Sequence, residues 1–137
     1  MDLAVTSGAI ATLREEATRA HPLECCGLLL GRGRLIEQAL PCANVHPDPA
    51  RHFEIDPATL IAAHRAARGG GPQVLGYYHS HPAGKAAPSP TDRASASGDG
   101  RVWAIVTRDE IGWWCDLPQG FAAQPVTLVA SVAPLSR

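Results

Sequence analysis

No cluster of Lys and Arg occurs in the 137 residues, and the formal net charge is -1. Both features argue against a nucleic-acid surface. No apolar stretch reaches the length needed to span a bilayer. The N-terminal MDLAVTSGAIATLREEA soon turns charged and lacks the basic and apolar regions of a secretory signal. None of the four cysteines (Cys25, Cys26, Cys42 and Cys115) belongs to a CxxC pair, which disfavours a thiolate zinc site. Two of them are adjacent, a poor start for a disulfide framework. With no export signal they are expected to be reduced, packed thiols in a cytoplasmic protein. There is no internal repeat. What the chain does have is 45% hydrophobic residues, enough for the core of one domain over residues 1–137.

The local patterns give an alternation of helices and strands. Thr6 or Ser7 can cap a helix in which Ile10, Leu13, Ala17 and Ala20 fall near helical spacing, ended by Pro22. CCGLLLG, the turn GRGR and LIEQALPC predict a hairpin over residues 25–42. The segment ANVHPDPARHFEIDP, with three prolines, predicts an irregular loop. Asp56 before Pro57 starts a second helix, with Leu60, Ile61, His64 and Ala67 as its inner face and GGG at 69–71 as its end. QVLGYYHSH reads as a strand. Ser89, Pro90 and Asp92 open a short helix reaching about Gly98, and VWAIVT, IGWWCD and AAQPVTLVA are three more strands. Helices and strands in this order suggest an α+β domain built on a mixed sheet rather than a strict βαβ series.

The stretch HSHPAGKAAPSPTD, residues 79–92, concentrates the chemistry. Side chains two apart on a strand share a face, so His79 and His81 emerge side by side where Pro82 ends the strand. Two imidazoles there are placed to share a metal, and Asp92 is the nearest downstream carboxylate. Two His and one carboxylate leave a zinc site net positive, which lowers the pKa of bound water to about 7. Ser89-Pro90-Thr91-Asp92 equally matches a helix cap, with serine at the N-cap, proline at N1 and an acid at N3. Other HxH enzymes fit badly. A barrel hydrolase needs about 250 residues, and neither HExxH nor the HxE…PCxxC of zinc deaminases occurs. Glu24, between a helix stop and an apolar strand, is the candidate general base, because partial desolvation would raise its pKa toward neutrality.

Glu24, then His79-x-His81, seven residues, Ser89, two residues and Asp92 resemble the JAMM (MPN+) metalloprotease motif, a distant Glu followed by H-x-H-x7-S-x2-D. Pro22, Cys26, Gly27, Gly31, Gly76 and Pro82 add to the likeness. The resemblance implies a curved mixed sheet flanked by helices. It implies one Zn2+ held by His79, His81 and Asp92, with Glu24 moving the proton of the activated water and Ser89 donating to the oxyanion. It implies cleavage after the C-terminal Gly-Gly of a ubiquitin-like or sulfur-carrier protein. A Gly-Gly tail suits a narrow groove, and the loop over residues 44–55 is the expected wall, with Asn44 and Phe53 as candidate substrate contacts. No long ubiquitin-clamping insertion is evident, which favours a small carrier. A metallo-amidase acting on a short peptide or small molecule, and a non-catalytic interaction module, are the competing expectations.

Overall fold

The structure is a computed structural model, and it describes residues 2–131. Its elements in chain order are β1 (Leu3–Thr6), α1 (Ser7–Ala20), β2 (Cys26–Arg32), β3 (Leu35–Cys42), α2 (Pro57–Arg68), β4 (Gln73–Ser80), α3 (Pro90–Ser95), β5 (Val102–Val106), β6 (Ile111–Leu117), β7 (Gly120–Ala123) and β8 (Val126–Val129). The eight strands form one mixed sheet in the order β7-β6-β5-β4-β2-β3-β1-β8. The pairs β1–β3, β1–β8 and β4–β5 are parallel and the rest antiparallel.

Each expected helix start is realised by a side-chain cap. Thr6 Oγ1 accepts from Ala9 N at 3.2 Å at the start of α1, and Asp56 Oδ1 accepts from Ala58 N at 3.0 Å at the start of α2. The predicted hairpin is β2–β3. Its two-residue turn begins with Gly33 at φ 59°, the left-handed region glycine enters freely.

The sheet buries a different core on each face. One face packs against α1, where Val5, Leu13, Leu29, Ile36, Tyr78 and Ala104 are buried. The opposite face carries Leu28, Leu30 and Val74, covered by Leu60 and Ala63 of α2. Tyr78 crosses over Gly27, and a Cβ there would collide with its ring and with the Leu40 carbonyl. Gly76 is similarly required, because a Cβ would strike the Val102 carbonyl on the neighbouring strand.

Several sequence expectations change. β1 has no counterpart among the expected elements; it is only four residues long and is stabilised by β3 and β8 on either side. The single strand expected over AAQPVTLVA is two strands, β7 and β8, parted at Gln124-Pro125. β7 stays beside β6, whereas β8 lies at the far edge beside β1. Ile61 is 56% exposed instead of facing inward, because α2 covers the sheet only through Leu60 and Ala63. The third helix stops at Ser95, short of Gly98. Among the described residues no helix is long and apolar enough to cross a membrane.

Candidate active site

β4 carries His79 to the end of the central sheet, and His81 lies one residue beyond the strand. After a loop, α3 brings Asp92 back to them. His79 Nε2 lies 3.1 Å from Asp92 Oδ1, and His81 Nε2 lies 3.1 Å from Asp92 Oδ2. The two Nε2 atoms are 3.0 Å apart. All three ligand atoms fall within 4.8 Å of one another, the only such His/Cys/Asp/Glu group found among the described residues. The strand-end placement expected from the alternation is therefore realised, and the distant carboxylate closes the triad.

The surroundings orient these donors. His81 Nδ1 lies 2.7 Å from the Lys85 carbonyl, which can only accept. That places the proton on Nδ1 and leaves the Nε2 lone pair free for a cation. His79 Nδ1 is buried with no polar partner, so packing holds its ring. Phe53 stacks on it at 4.2 Å between centroids, and Trp103 meets it edge-on at 5.7 Å. Burial pulls the His79 pKa down, keeping its imidazole neutral, as a ligand must be. Burial also pulls at His81, but its bonds to Asp92 and the Lys85 carbonyl outweigh that and raise it. For Asp92, burial works against ionisation. Bonds from both imidazoles and from Ser89 overcome it and hold the carboxyl well below the usual carboxylate range. The donor set, two imidazoles and an ionised carboxylate with one ring fixed by a backbone carbonyl, fits a tetrahedral divalent metal.

Ser89 forms a reciprocal capping box with Asp92. Asp92 N donates to Ser89 Oγ at 3.0 Å, and Ser89 N donates to Asp92 Oδ2 at 2.9 Å. The cap and the metal reading thus coexist, since the bonds that start α3 also aim the Asp92 carboxylate. Ser89 Oγ accepts in this box, so its own proton is free to be donated elsewhere.

Glu24 is 7% exposed, in the short link between α1 and β2. It lines a groove of about 390 Å³ that it shares with Asp92, Phe53, Tyr77 and Trp103. Burial pushes its carboxyl up to about 7, the Asp92 and Asp48 charges push the same way, and His81 opposes them. The loop after β3 locks it in place. Glu24 N donates to the Pro49 carbonyl at 2.8 Å, and the Glu24 carbonyl accepts from Asn44 Nδ2 at 3.0 Å.

The two candidate substrate contacts fare differently. Asn44 spends its side chain on backbone. Nδ2 donates to the Glu24 and His52 carbonyls at 3.0 Å each, and Oδ1 accepts from His46 N at 3.1 Å and Glu54 N at 3.0 Å. These bonds saturate the amide and make Asn44 the clasp of the loop rather than a free wall group. Phe53 does line the groove, and it also supports His79. Tyr77 and Trp103, which the sequence presents only as strand residues, are groove walls. Tyr77 could have been found, since it shares a strand face with His79; Trp103 needed the β4–β5 register, which sets it opposite Tyr77. The Lys85 carbonyl has no sequence signal, because any residue would supply it. All four cysteines are free, and burial drives the Cys26 thiol up to about 12, far from a nucleophilic thiolate.

Residues 6–116 match the family model for prokaryotic homologs of the JAB domain. A desampylase of Haloferax volcanii is 38% identical over 98 residues, 70% of this chain and 70% of that protein. A probable TtuB-protein conjugate cleaving protease of Thermus thermophilus is 45% identical over 82 residues, 56% of this chain and 55% of that protein. The aligned part is thus little more than half the length of the Thermus relative. A solution structure of a Desulfitobacterium hafniense protein superposes with a TM-score of 0.84 at 28% identity, covering 95% of this chain and 94% of that one. The match over most of the chain, joined to the converged His79, His81 and Asp92, places this protein in the prokaryotic JAB-domain branch of the JAMM/MPN family.

Proposed function

We propose that this protein is a zinc-dependent peptidase or isopeptidase. It hydrolyses the bond after the C-terminal Gly-Gly of a ubiquitin-like or sulfur-carrier protein. The observation that carries this reading is the convergence of His79, His81 and Asp92 beside a buried Glu24. The relatives named desampylase and TtuB-protein conjugate cleaving protease support the substrate class.

His79, His81 and Asp92 would hold one Zn2+, matching the neutral imidazole and ionised carboxylate donors that zinc takes. When bound, the ion acidifies water and polarises the scissile carbonyl. Glu24, raised to about 7, takes a proton from the attacking water and later hands it to the leaving amine. Ser89, with its hydroxyl proton uncommitted in the capping box, donates to the oxygen that gains charge. Phe53, Tyr77 and Trp103 wall the groove that Glu24 also lines. An extended Gly-Gly tail can press its backbone against such walls because it has no side chains to clash. Free cysteines suit a reducing compartment, and we assign the protein to the cytoplasm.

The test is to incubate the zinc-loaded protein with ubiquitin-like proteins of its own cell, each extended past Gly-Gly, and to weigh the products. New C-termini at Gly-Gly are expected from the native chain and absent with Glu24→Gln. Intact carriers throughout, despite a full zinc load, would end this reading.

A further inference from the structure

Two buried polar atoms of the groove have no partner. Asp116, 1% exposed, lines it together with Tyr77 and Trp103. Asp116 Oδ2 accepts from Gly98 N at 3.1 Å, but Oδ1 has no hydrogen-bond partner, and neither has Trp103 Nε1. Strand register sets both residues on the sheet face that carries His79. His79 and Tyr77 are two apart on β4, Tyr77 lies opposite Trp103, and Trp103 lies opposite Trp114, two residues before Asp116. Among the described residues no cation pairs with Asp116. Arg101, its neighbour across the β5–β6 pair, is held by Asp99 and the Val74 carbonyl, and Arg51 of the facing loop makes no ion pair with it. A buried carboxylate oxygen and a buried indole N–H are both costly to leave unpaired, and the chemistry proposed above uses neither.

We propose that Asp116, Tyr77 and Trp103 form a subsite for a basic side chain, Arg or Lys, in the carrier tail ahead of Gly-Gly. The inference rests on the function proposed above, in which that tail lies in this groove. The two unpaired groups complement such a residue. Asp116 Oδ1 lacks a donor, and a guanidinium or ammonium supplies one together with the missing counter-charge. The Trp103 indole N–H lacks an acceptor, which a backbone carbonyl of the tail provides. Aromatic rings beside a carboxylate add cation–π attraction. Register also gives the position along the tail. Asp116 stands level with Leu75, four residues along β4 and two strands across from His79. Standard strand spacings put about 16 Å between the Cα atoms of Asp116 and His79. An extended tail advances about 3.3 Å per residue and a long side chain spans the remainder, so the basic residue lies roughly three to five residues before the cut.

The test uses the zinc-loaded protein and one ubiquitin-like carrier extended past Gly-Gly by a short peptide. The residues just ahead of Gly-Gly are all set to Ala, and then changed one at a time to Arg, Gln or Glu. At one of these positions the native chain should cleave the Arg carrier with a kcat/KM at least about tenfold above the Ala and Gln carriers, the size of a charge-assisted contact, and should disfavour Glu. Asp116→Asn keeps an oxygen for Gly98 N and removes the charge. In this variant the Arg-over-Ala ratio should fall to near one and the penalty on Glu should disappear, with zinc content and melting temperature checking the fold. No preference for Arg by the native chain, a preference unchanged in Asp116→Asn, or a loss of cleavage equal for every carrier overturns the subsite and leaves the peptidase reading standing. Cleavage of no carrier by the native chain overturns the peptidase reading, and the subsite with it.

Discussion

Phe53 lies face to face with His79, ring centroids 4.2 Å apart and planes 18° from parallel. This contact substitutes for the hydrogen bond that a metal-binding imidazole usually makes through its second nitrogen, since His79 Nδ1 has no polar partner. Phe53→Ala should therefore loosen the ring and weaken zinc binding by about tenfold, the lower end of what outer ligand supports contribute. Competition with a chromogenic chelator measures it. Zinc affinity equal to the native value would mean that strand β4 and Trp103 alone hold the ring.

His81→Ala removes one of the three proposed ligands and leaves Asp92 with a single imidazole. The native chain should carry one zinc, and this variant should carry none after dialysis. Elemental analysis reporting equal zinc in both would show that the ion binds elsewhere.

Glu24→Gln should keep zinc and lose hydrolysis by roughly 10²–10⁴-fold, the usual contribution of a positioned base. A second readout uses the raised carboxyl in the metal-free protein. Between the ordinary Glu value of 4.5 and about 7, the folded chain retains a proton that the unfolded chain has released. Stability attributable to Glu24 is thus full below 4.5 and declines as pH rises through 7. Metal-free Glu24→Gln should melt a few degrees above the native chain at pH 8, and the gap should close toward pH 4. Zinc, as a nearby positive charge, should draw the Glu24 titration below 7, visible in carboxyl carbon NMR shifts. A titration unmoved by zinc would place Glu24 too far from the ion to serve as its base.

Ser89 caps α3 and is also the proposed oxyanion donor, and the two roles separate in Ser89→Gly. Glycine is a tolerable N-cap, costing only about a few tenths of a kcal/mol, yet it has no hydroxyl. The variant should stay folded and hold zinc while kcat falls about 10²–10³-fold, the effect of losing an oxyanion donor. Unchanged kcat would confine Ser89 to capping.

Asn44→Ala tests whether this residue touches substrate or clasps the loop. Its amide makes four bonds to backbone, one of them to the Glu24 carbonyl. Loss of the clasp should lower stability by about 1–3 kcal/mol and reduce kcat through a less fixed Glu24. A rise in KM with stability untouched would restore the substrate-contact role.

The chain's own local order determined the parts of the site that are near in sequence. Period-two alternation put His79 and His81 on one strand face, Pro82 ended the strand, and Ser89-Pro90-Thr91-Asp92 carried its cap. Each arises from torsional preferences and hydrogen bonds spanning only a few residues. Tertiary structure decided the rest. Glu24 meets the triad only because β2 pairs with β4, setting Cys26 beside His79. Phe53 reaches His79 from an irregular loop with no periodicity to read, and Asn44 became a clasp because that loop folds back onto Glu24. β8 joined β1 at the far edge of the sheet although β7 is its neighbour in the chain. These contacts join residues far apart along the chain, so loop closure and strand register select them, and no short window of sequence contains both partners.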